Sequence, residues 1–274
     1  MRFAIVYSKL NQAGKTIVEE MKKLAFTPQF PIIELANETL YENNLNSKKY
    51  PELRNIDLII FASTHRSEKG KPSLSLHAPG NWRNADLGGN PGKISNTSAF
   101  VMKYLFQNLY RLYEQDKSKL SKEYAITLEV THHGPSIDIP CCYIELGSTE
   151  NEWGDREAAK IIAKTILTLQ NYKGNFIANH PWVAAIGIGG PHYAPNFNKI
   201  QLNSQYAIGH IIPEYALPLT ESMLKEAEQK TKENMVEVLI DWKGCGKSEQ
   251  RQDIITIIEK LGFKYKRTNA VEKE

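Results

Sequence analysis

Long hydrophobic runs are missing from this chain of 274 residues; none approaches the ~18 apolar residues a membrane-crossing helix needs. The opening stretch Met1-Arg-Phe-Ala-Ile-Val-Tyr7 is too short for a secretion signal and turns straight into Ser8 and Lys9. It reads as a buried first strand, and the expected location is the cytoplasm, with no membrane contact. Cysteine is scarce too. The three present include the adjacent pair Cys141 and Cys142, with neither a C-x-x-C pair nor zinc-finger spacing. That excludes a disulfide framework and points to a reducing compartment. A strong charge excess is absent as well. A net charge of +3 and a pI near 8.5 permit contact with a phosphate backbone without demanding it. A dedicated nucleic-acid coat would carry a much larger basic excess.

What is present alternates between short apolar runs and amphipathic stretches. Strands are expected at Phe3 to Tyr7, Pro31 to Leu35, Asp57 to Ala62, Tyr124 to Val130, Pro140 to Leu146, Trp182 to Ile188 and Tyr206 to Ile212. Helices are expected from about Gln12 to Leu24, Ser98 to Leu112 and Glu152 to Leu169. Continuous apolar strands alternating with helices imply an α/β fold with a largely parallel sheet covered on both faces. Between Ser63 and Thr97 lies a stretch rich in Gly, Pro, Asn and Ser without periodicity; a loop that long is usually functional or disordered, and its His, Trp and Arg favour function. After Pro213 the texture changes to a charged helix, a strand at Val236 to Trp242, a further helix and a last strand at Phe263 to Arg267. The expected organisation is a catalytic α/β domain over 1–218 and a small α+β C-terminal subdomain over 219–274.

Five of the seven histidines fall in loops punctuated by glycine and proline. His65 follows the run ending at Ala62, His132 and His133 the run ending at Val130, and His192 the run ending at Ile188. If the strands are parallel, these loops share the carboxyl edge of the sheet, where α/β enzymes collect reactive groups. His77 would reach that edge from the long loop. Glu68, Glu129, Asp138, Glu145, Glu150, Glu152 and Asp155 are nearby acids. Histidine mixed with carboxylate suits zinc with an open position, although no H-E-x-x-H signature is present. For Thr149 and Glu152 the competing reading is helix capping. Two fragments, Gly14-Lys-Thr16 and Gly246-Lys-Ser248, end like phosphate loops, but Lys9 and Asp241 replace the required first glycine. Gly187-Ile-Gly-Gly190 fails as a dinucleotide fingerprint because His192 replaces its last glycine and Pro191 and Pro195 spoil the helix that should follow. A nucleotide cofactor is rejected.

Taken together, Ser63-Thr-His-Arg-Ser-Glu-Lys-Gly70, Leu74-Ser-Leu-His-Ala-Pro-Gly-Asn-Trp82, Thr131-His-His-Gly-Pro135, Glu145-Leu-Gly-Ser-Thr-Glu150, Gly187-Ile-Gly-Gly-Pro-His-Tyr-Ala-Pro195 and Ala207-Ile-Gly-His-Ile-Ile-Pro213 resemble the archaeal and plant type of D-aminoacyl-tRNA deacylase. The likeness runs in order from about Met1 to Leu217. It implies hydrolysis of the ester between a D-amino acid and the 3′ end of tRNA, aminoacylated tRNA as partner, two Zn2+ ions per subunit, and a three-layer phosphorylase/hydrolase-like core.

On that reading zinc-activated water attacks the aminoacyl carbonyl. His65, His77, His132, His192 and His210 are the candidate metal ligands, and His133 a ligand or proton carrier. Glu145 is the expected carboxylate ligand or general base. Amides of Gly134, Gly189 and Gly190 are candidate oxyanion donors. Arg66 would steer substrate phosphate, and Trp82 or Tyr193 would stack on the terminal adenosine. The rivals are a zinc exopeptidase or amidase, acting without RNA, and a tRNA-binding protein without turnover or metal.

Overall fold

The computed structural model describes residues 1–24, 29–174 and 181–272, so residues 273 and 274 of the expected C-terminal unit lie outside the described residues. Six strands form the main sheet: β1 (Phe3–Ser8), β2 (Ile32–Leu35), β3 (Leu58–Thr64), β4 (Ser73–His77), β5 (Ala125–Leu128) and β6 (Cys141–Gly147). Their order is β2-β1-β3-β6-β4-β5. Every pairing is parallel except β4 with β6, so β4 and β5 run against the other four. The largely parallel mixed sheet expected of an α/β chain is there.

Side chains alternate across this sheet with period two. Phe3, Ile5, Leu58, Ile60, Leu74, Leu76, Cys142 and Ile144 share one buried core. Three helices supply its other half: α1 (Gln12–Leu24), α2 (Ala99–Asp116) and, after the single-turn α3 (Glu150–Trp153), α4 (Arg156–Leu167). Ile17 and Met21 of α1 meet Ile161 and Ile162 of α4 there, all fully buried or nearly so. Each such side chain contributes roughly 1.5–3 kcal/mol. On the opposite face Val6, Phe61 and Tyr143 are covered by Leu45, Leu53 and Ile137, from irregular segments with two short 3-10 turns. Thin cover on that face leaves room for a cleft.

A second sheet holds β7 (Val183–Ile188), β8 (Tyr206–Ile212), β9 (Glu237–Ile240) and β10 (Lys264–Arg267), all parallel, in the order β10-β9-β7-β8. α5 (Pro195–Asn203) links β7 to β8, while α6 (Glu221–Lys230) and α7 (Ser248–Lys260) pack their buried residues with Ile188 and Ile240. α2 lies between the sheets, so Leu105 and Phe106 share a core with Ile208 and Ile211. No described helix is long and apolar enough to cross a membrane.

Four features differ from the sequence expectation. The segment 63–97 contains a strand: Ser73-Leu-Ser-Leu-His77 places both leucines in the core and turns Ser73, Ser75 and His77 to the other face. Pro195 starts α5 rather than blocking it, since the first helical position needs no N–H donor. The helix expected over Glu152–Leu169 is two, because Thr149 caps α3 and the Asp155 carboxylate accepts from the amides of Glu157 and Ala158 to start α4. Finally, β7 and β8 belong with β9 and β10, so the line drawn between 218 and 219 passes through one sheet.

Candidate metal centre

The site forms where the sheets meet, on the thinly covered face of the larger one. β3 leads into His65, β5 into Glu129, and β6 carries Glu145 near its end. Register sets Ser63 and Ser75 on either side of Glu145, and His77 beside Tyr143 one step away. His192 arrives from the second sheet. The junction is sewn by backbone: Val130 donates its N–H to the His192 carbonyl at 3.0 Å and Thr131 to the Ile211 carbonyl at 3.0 Å. The histidine loops therefore do not share one carboxyl edge; β4 is reversed and β7 lies in another sheet.

Glu129 is the hub. Its Oε1 lies 3.0 Å from His65 Nδ1, and its Oε2 lies 2.9 Å from His192 Nε2 and 3.5 Å from His132 Nε2. Glu145 reaches His65 Nδ1 at 3.7 Å and His77 Nε2 at 3.8 Å. The His77 ring packs against His132, His133 and Tyr143, with centroids 4.2, 4.9 and 5.1 Å away. Nδ1 of His132 bonds the Val130 carbonyl at 2.8 Å, and Nδ1 of His133 the Gly134 carbonyl at 2.6 Å. Those bonds fix the proton on Nδ1 and leave Nε2 as the lone-pair atom, the arrangement metal-ligating histidines adopt. In His132 that lone pair faces a carboxylate oxygen, and two acceptors so placed call for a cation between them.

Electrostatics agree. Burial alone raises a carboxyl pKa, but His192 and His65 outweigh it and hold Glu129 well below the usual range. His65 and His77 likewise outweigh burial at Glu145 and lower its pKa. Burial disfavours charge on His65, yet Glu129 and Glu145 push it up to about 11; His77 also moves up, through Glu145. Burial and the His77 charge take His132 well below its ordinary value and His133 down to about 4. Two carboxylates thus face two imidazoliums whose protons a divalent cation can displace. Although burial is complete, His77 Nε2 and Glu129 Oε1 accept or donate no well-directed hydrogen bond. Three ligand groups, each with atoms within 4.8 Å of one another, overlap here: His77, His132 and His133; Glu129, His132 and His192; and His65, Glu129 and Glu145. A donor set of imidazole and carboxylate fits zinc.

Of the residues picked from sequence, His65, His77, His132, His133, His192 and Glu145 come together, and Tyr193 joins them by a 2.9 Å hydroxyl contact to His65 Nε2. Arg66 lines the same cleft of about 620 Å³, its guanidinium over the Trp153 ring. His210 stands apart, with Nδ1 toward the Thr131 hydroxyl and Nε2 toward the Lys230 carbonyl, and it enters none of the three ligand groups. Trp82 is buried, its indole N–H given to the Ile211 carbonyl, and makes a wall rather than a free stacking face. Two candidate oxyanion amides are spent: Gly134 N–H binds the Leu87 carbonyl and Gly189 N–H the Ile212 carbonyl. Gly190 packs its amide against Gly244, away from the cleft. Sequence reasoning counted Glu129 only among nearby acids. Its signal was a lone acid inside an apolar run, since a buried carboxylate is kept only with partners.

The model of the D-aminoacyl-tRNA deacylase family matches residues 52–266. A D-aminoacyl-tRNA deacylase of Methanocaldococcus jannaschii is 34% identical over 272 residues, spanning 97% of this chain and 100% of its own length. One of Thermococcus kodakarensis is 37% identical over 211 residues, spanning 76% of this chain and 73% of its own. A crystal structure of a conserved protein of unknown function superposes with a TM-score of 0.87 at 28% identity, covering 98% of this chain and 96% of that one.

Proposed function

The chain belongs to the D-aminoacyl-tRNA deacylase family, and on that premise we propose that it hydrolyses the ester joining a D-amino acid to the 3′ end of tRNA, using two zinc ions. The observation that carries the metal is the fixed Nε2 lone pair of His132 facing the buried Glu129 carboxylate. Sharing of Glu129 and His132 between ligand groups supports two adjoining positions rather than one. His65, His77, His132, His192 and Glu129 would hold the ions. When bound, zinc supplies Lewis-acid polarisation of the ester carbonyl and lowers the pKa of water in the site.

The chain's own groups handle protons and position. A carboxylate held below its usual range is an acceptor at neutral pH, and Glu145 is the base that takes a proton from the attacking water. Water oxygen bonds the carbonyl carbon, the bond from that carbon to the ribose oxygen breaks, and the proton passes to the ribose oxygen. His133, neutral with its tautomer fixed by Gly134, is the carrier for that return. Tyr193 positions His65 through its hydroxyl, and the Arg66 charge at the cleft attracts the phosphate backbone of the incoming tRNA. Aminoacylated tRNA is the partner, and the cytoplasm is where translation supplies it.

The test is hydrolysis of D-tyrosyl-tRNA against L-tyrosyl-tRNA by purified protein, before and after chelation and zinc restoration. Selective D-ester cleavage that chelation removes and zinc restores is expected. Cleavage indifferent to chelation removes zinc from the chemistry, and no cleavage by folded, zinc-loaded protein refutes the substrate.

A further inference from the structure

A second recess, of about 280 Å³, backs onto the metal centre. Trp82, Arg83, Thr131 and Tyr215 are among its walls, and the residues it shares with the 620 Å³ cleft are His132 and His133. The two hollows are unlike. The larger has leucines at its rim, Leu10 and Leu87 being 62% and 55% exposed, with Leu40 beside them. The smaller has an aromatic ring left open: Tyr215 is 61% exposed, although its neighbour Ala216 is buried. The turn carrying it is held rigidly. Arg83 donates from Nε to the Ala216 carbonyl at 2.9 Å and from Nη2 to the Pro218 carbonyl at 2.7 Å, and Glu214 N–H binds the Gly190 carbonyl at 3.0 Å. An exposed aromatic ring on a braced turn, beside an arginine, is a platform for a nucleobase.

An aminoacyl ester is a junction between a nucleoside and an amino acid, so its reacting carbon must lie where the two binding hollows meet. Here that place is His132 and His133. Resting on the deacylase reading, we infer that the recess beneath Tyr215 binds the terminal adenosine of the tRNA, base on the Tyr215 ring, while the leucine-rimmed cleft takes the amino-acid side chain. The assignment replaces Trp82 and Tyr193, whose polar atoms are committed to the Ile211 carbonyl and to His65.

The experiment pairs Tyr215→Ala with Tyr215→Phe in the full chain and reads two quantities. One is the affinity for adenosine 5′-monophosphate, titrated on zinc-free and zinc-loaded protein; the other is KM and kcat on D-tyrosyl-tRNA. Tyr215→Ala is expected to weaken the nucleotide and raise KM by about 5- to 150-fold, the span that one lost base stack gives, with kcat within about twofold. Tyr215→Phe keeps the ring and is expected to behave as wild type. Leu87→Ala is expected to raise KM for D-tyrosyl- more than for D-alanyl-tRNA without weakening the nucleotide. Unchanged nucleotide affinity and KM in Tyr215→Ala overturn the assignment, as does equal loss in Tyr215→Phe. Failure of wild-type protein to cleave any D-ester refutes the deacylase reading instead, and the nucleotide titration still reads the recess.

Discussion

His210 gives the sharpest test of whether a histidine of this chain serves a metal or the fold. It is fully buried in β8, and burial, aided by the Lys230 charge, outweighs the bond to the Lys230 carbonyl and lowers its pKa from the ordinary 6.5 to about 4. Below pH 6.5 the unfolded chain binds this proton while the folded chain refuses it. The neutral ring therefore contributes stability that is fully present above pH 6.5, is lost as pH falls, and is gone below about 4. A shift of that size is worth about 3 kcal/mol in all, of which about 2 kcal/mol has gone by pH 5. His210→Gln removes the titration and keeps a donor for the Lys230 carbonyl. Urea unfolding of wild type and variant at pH 7.5 and pH 5 is expected to show the wild type losing about 2 kcal/mol relative to the variant over that interval. Zinc content is expected to be equal in both. A stability difference that does not move with pH refutes the buried-neutral state, and loss of zinc in His210→Gln restores it as a ligand.

Glu129→Gln keeps the shape but removes the charge that three histidines share; zinc per chain and deacylation are expected to fall, the latter by more than about 100-fold, the most that losing a hydrogen-bond partner of a metal ligand costs, and full metal content would refute its central place. Gly147→Ala puts a Cβ 2.6 Å from both the Cβ and the carbonyl oxygen of His65; a loss of about 1–3 kcal/mol in stability and reduced activity are expected, read by thermal unfolding and by D-ester cleavage. Lys103→Met strips the buried ammonium that bonds the carbonyls of Gln201 and Ser204, each at 2.7 Å, at the end of α5. About 3 kcal/mol of stability is expected to go, measured in urea, with activity per folded molecule retained.

The elements legible in the sequence are those whose residues state their own burial. β1, β3, β6, β7 and β8 are continuous apolar runs, and α1 carries Ile17, Val18 and Met21 on one face. β4 was hidden because Ser73, Ser75 and His77 mask a two-residue period that only Leu74 and Leu76 reveal, in a segment dense with glycine and proline. The histidines were legible because imidazole in tight turns after strands is uncommon without a task. Glu129 was obscured by rank, one acid among seven. The failures over Gly134, Gly189 and Trp82 share a cause: the availability of an amide or an indole N–H depends on long-range partners such as Leu87, Ile212 and Ile211, which no local pattern encodes.

The same dependence explains why the C-terminal segment is more than an attachment. β7 carries the loop that presents His192 to Glu129, and β7 is held on one side by β8 and on the other by β9, which pairs Ile240 with Ile188 at the end of β7 nearest that loop. The Asp241 to Cys245 turn then packs directly on Gly189 and Gly190, where a Cβ on Gly189 would fall 2.6 Å from Cys245 Sγ. Residues beyond 219 thus clamp the backbone two positions before a site histidine, and their helices bury the far face of the strand that carries it. Removing them would leave β7 as an exposed edge with its apolar face open, and His192 at the end of a strand paired on one side only. Both sheets are needed to hold one imidazole against one carboxylate at 2.9 Å.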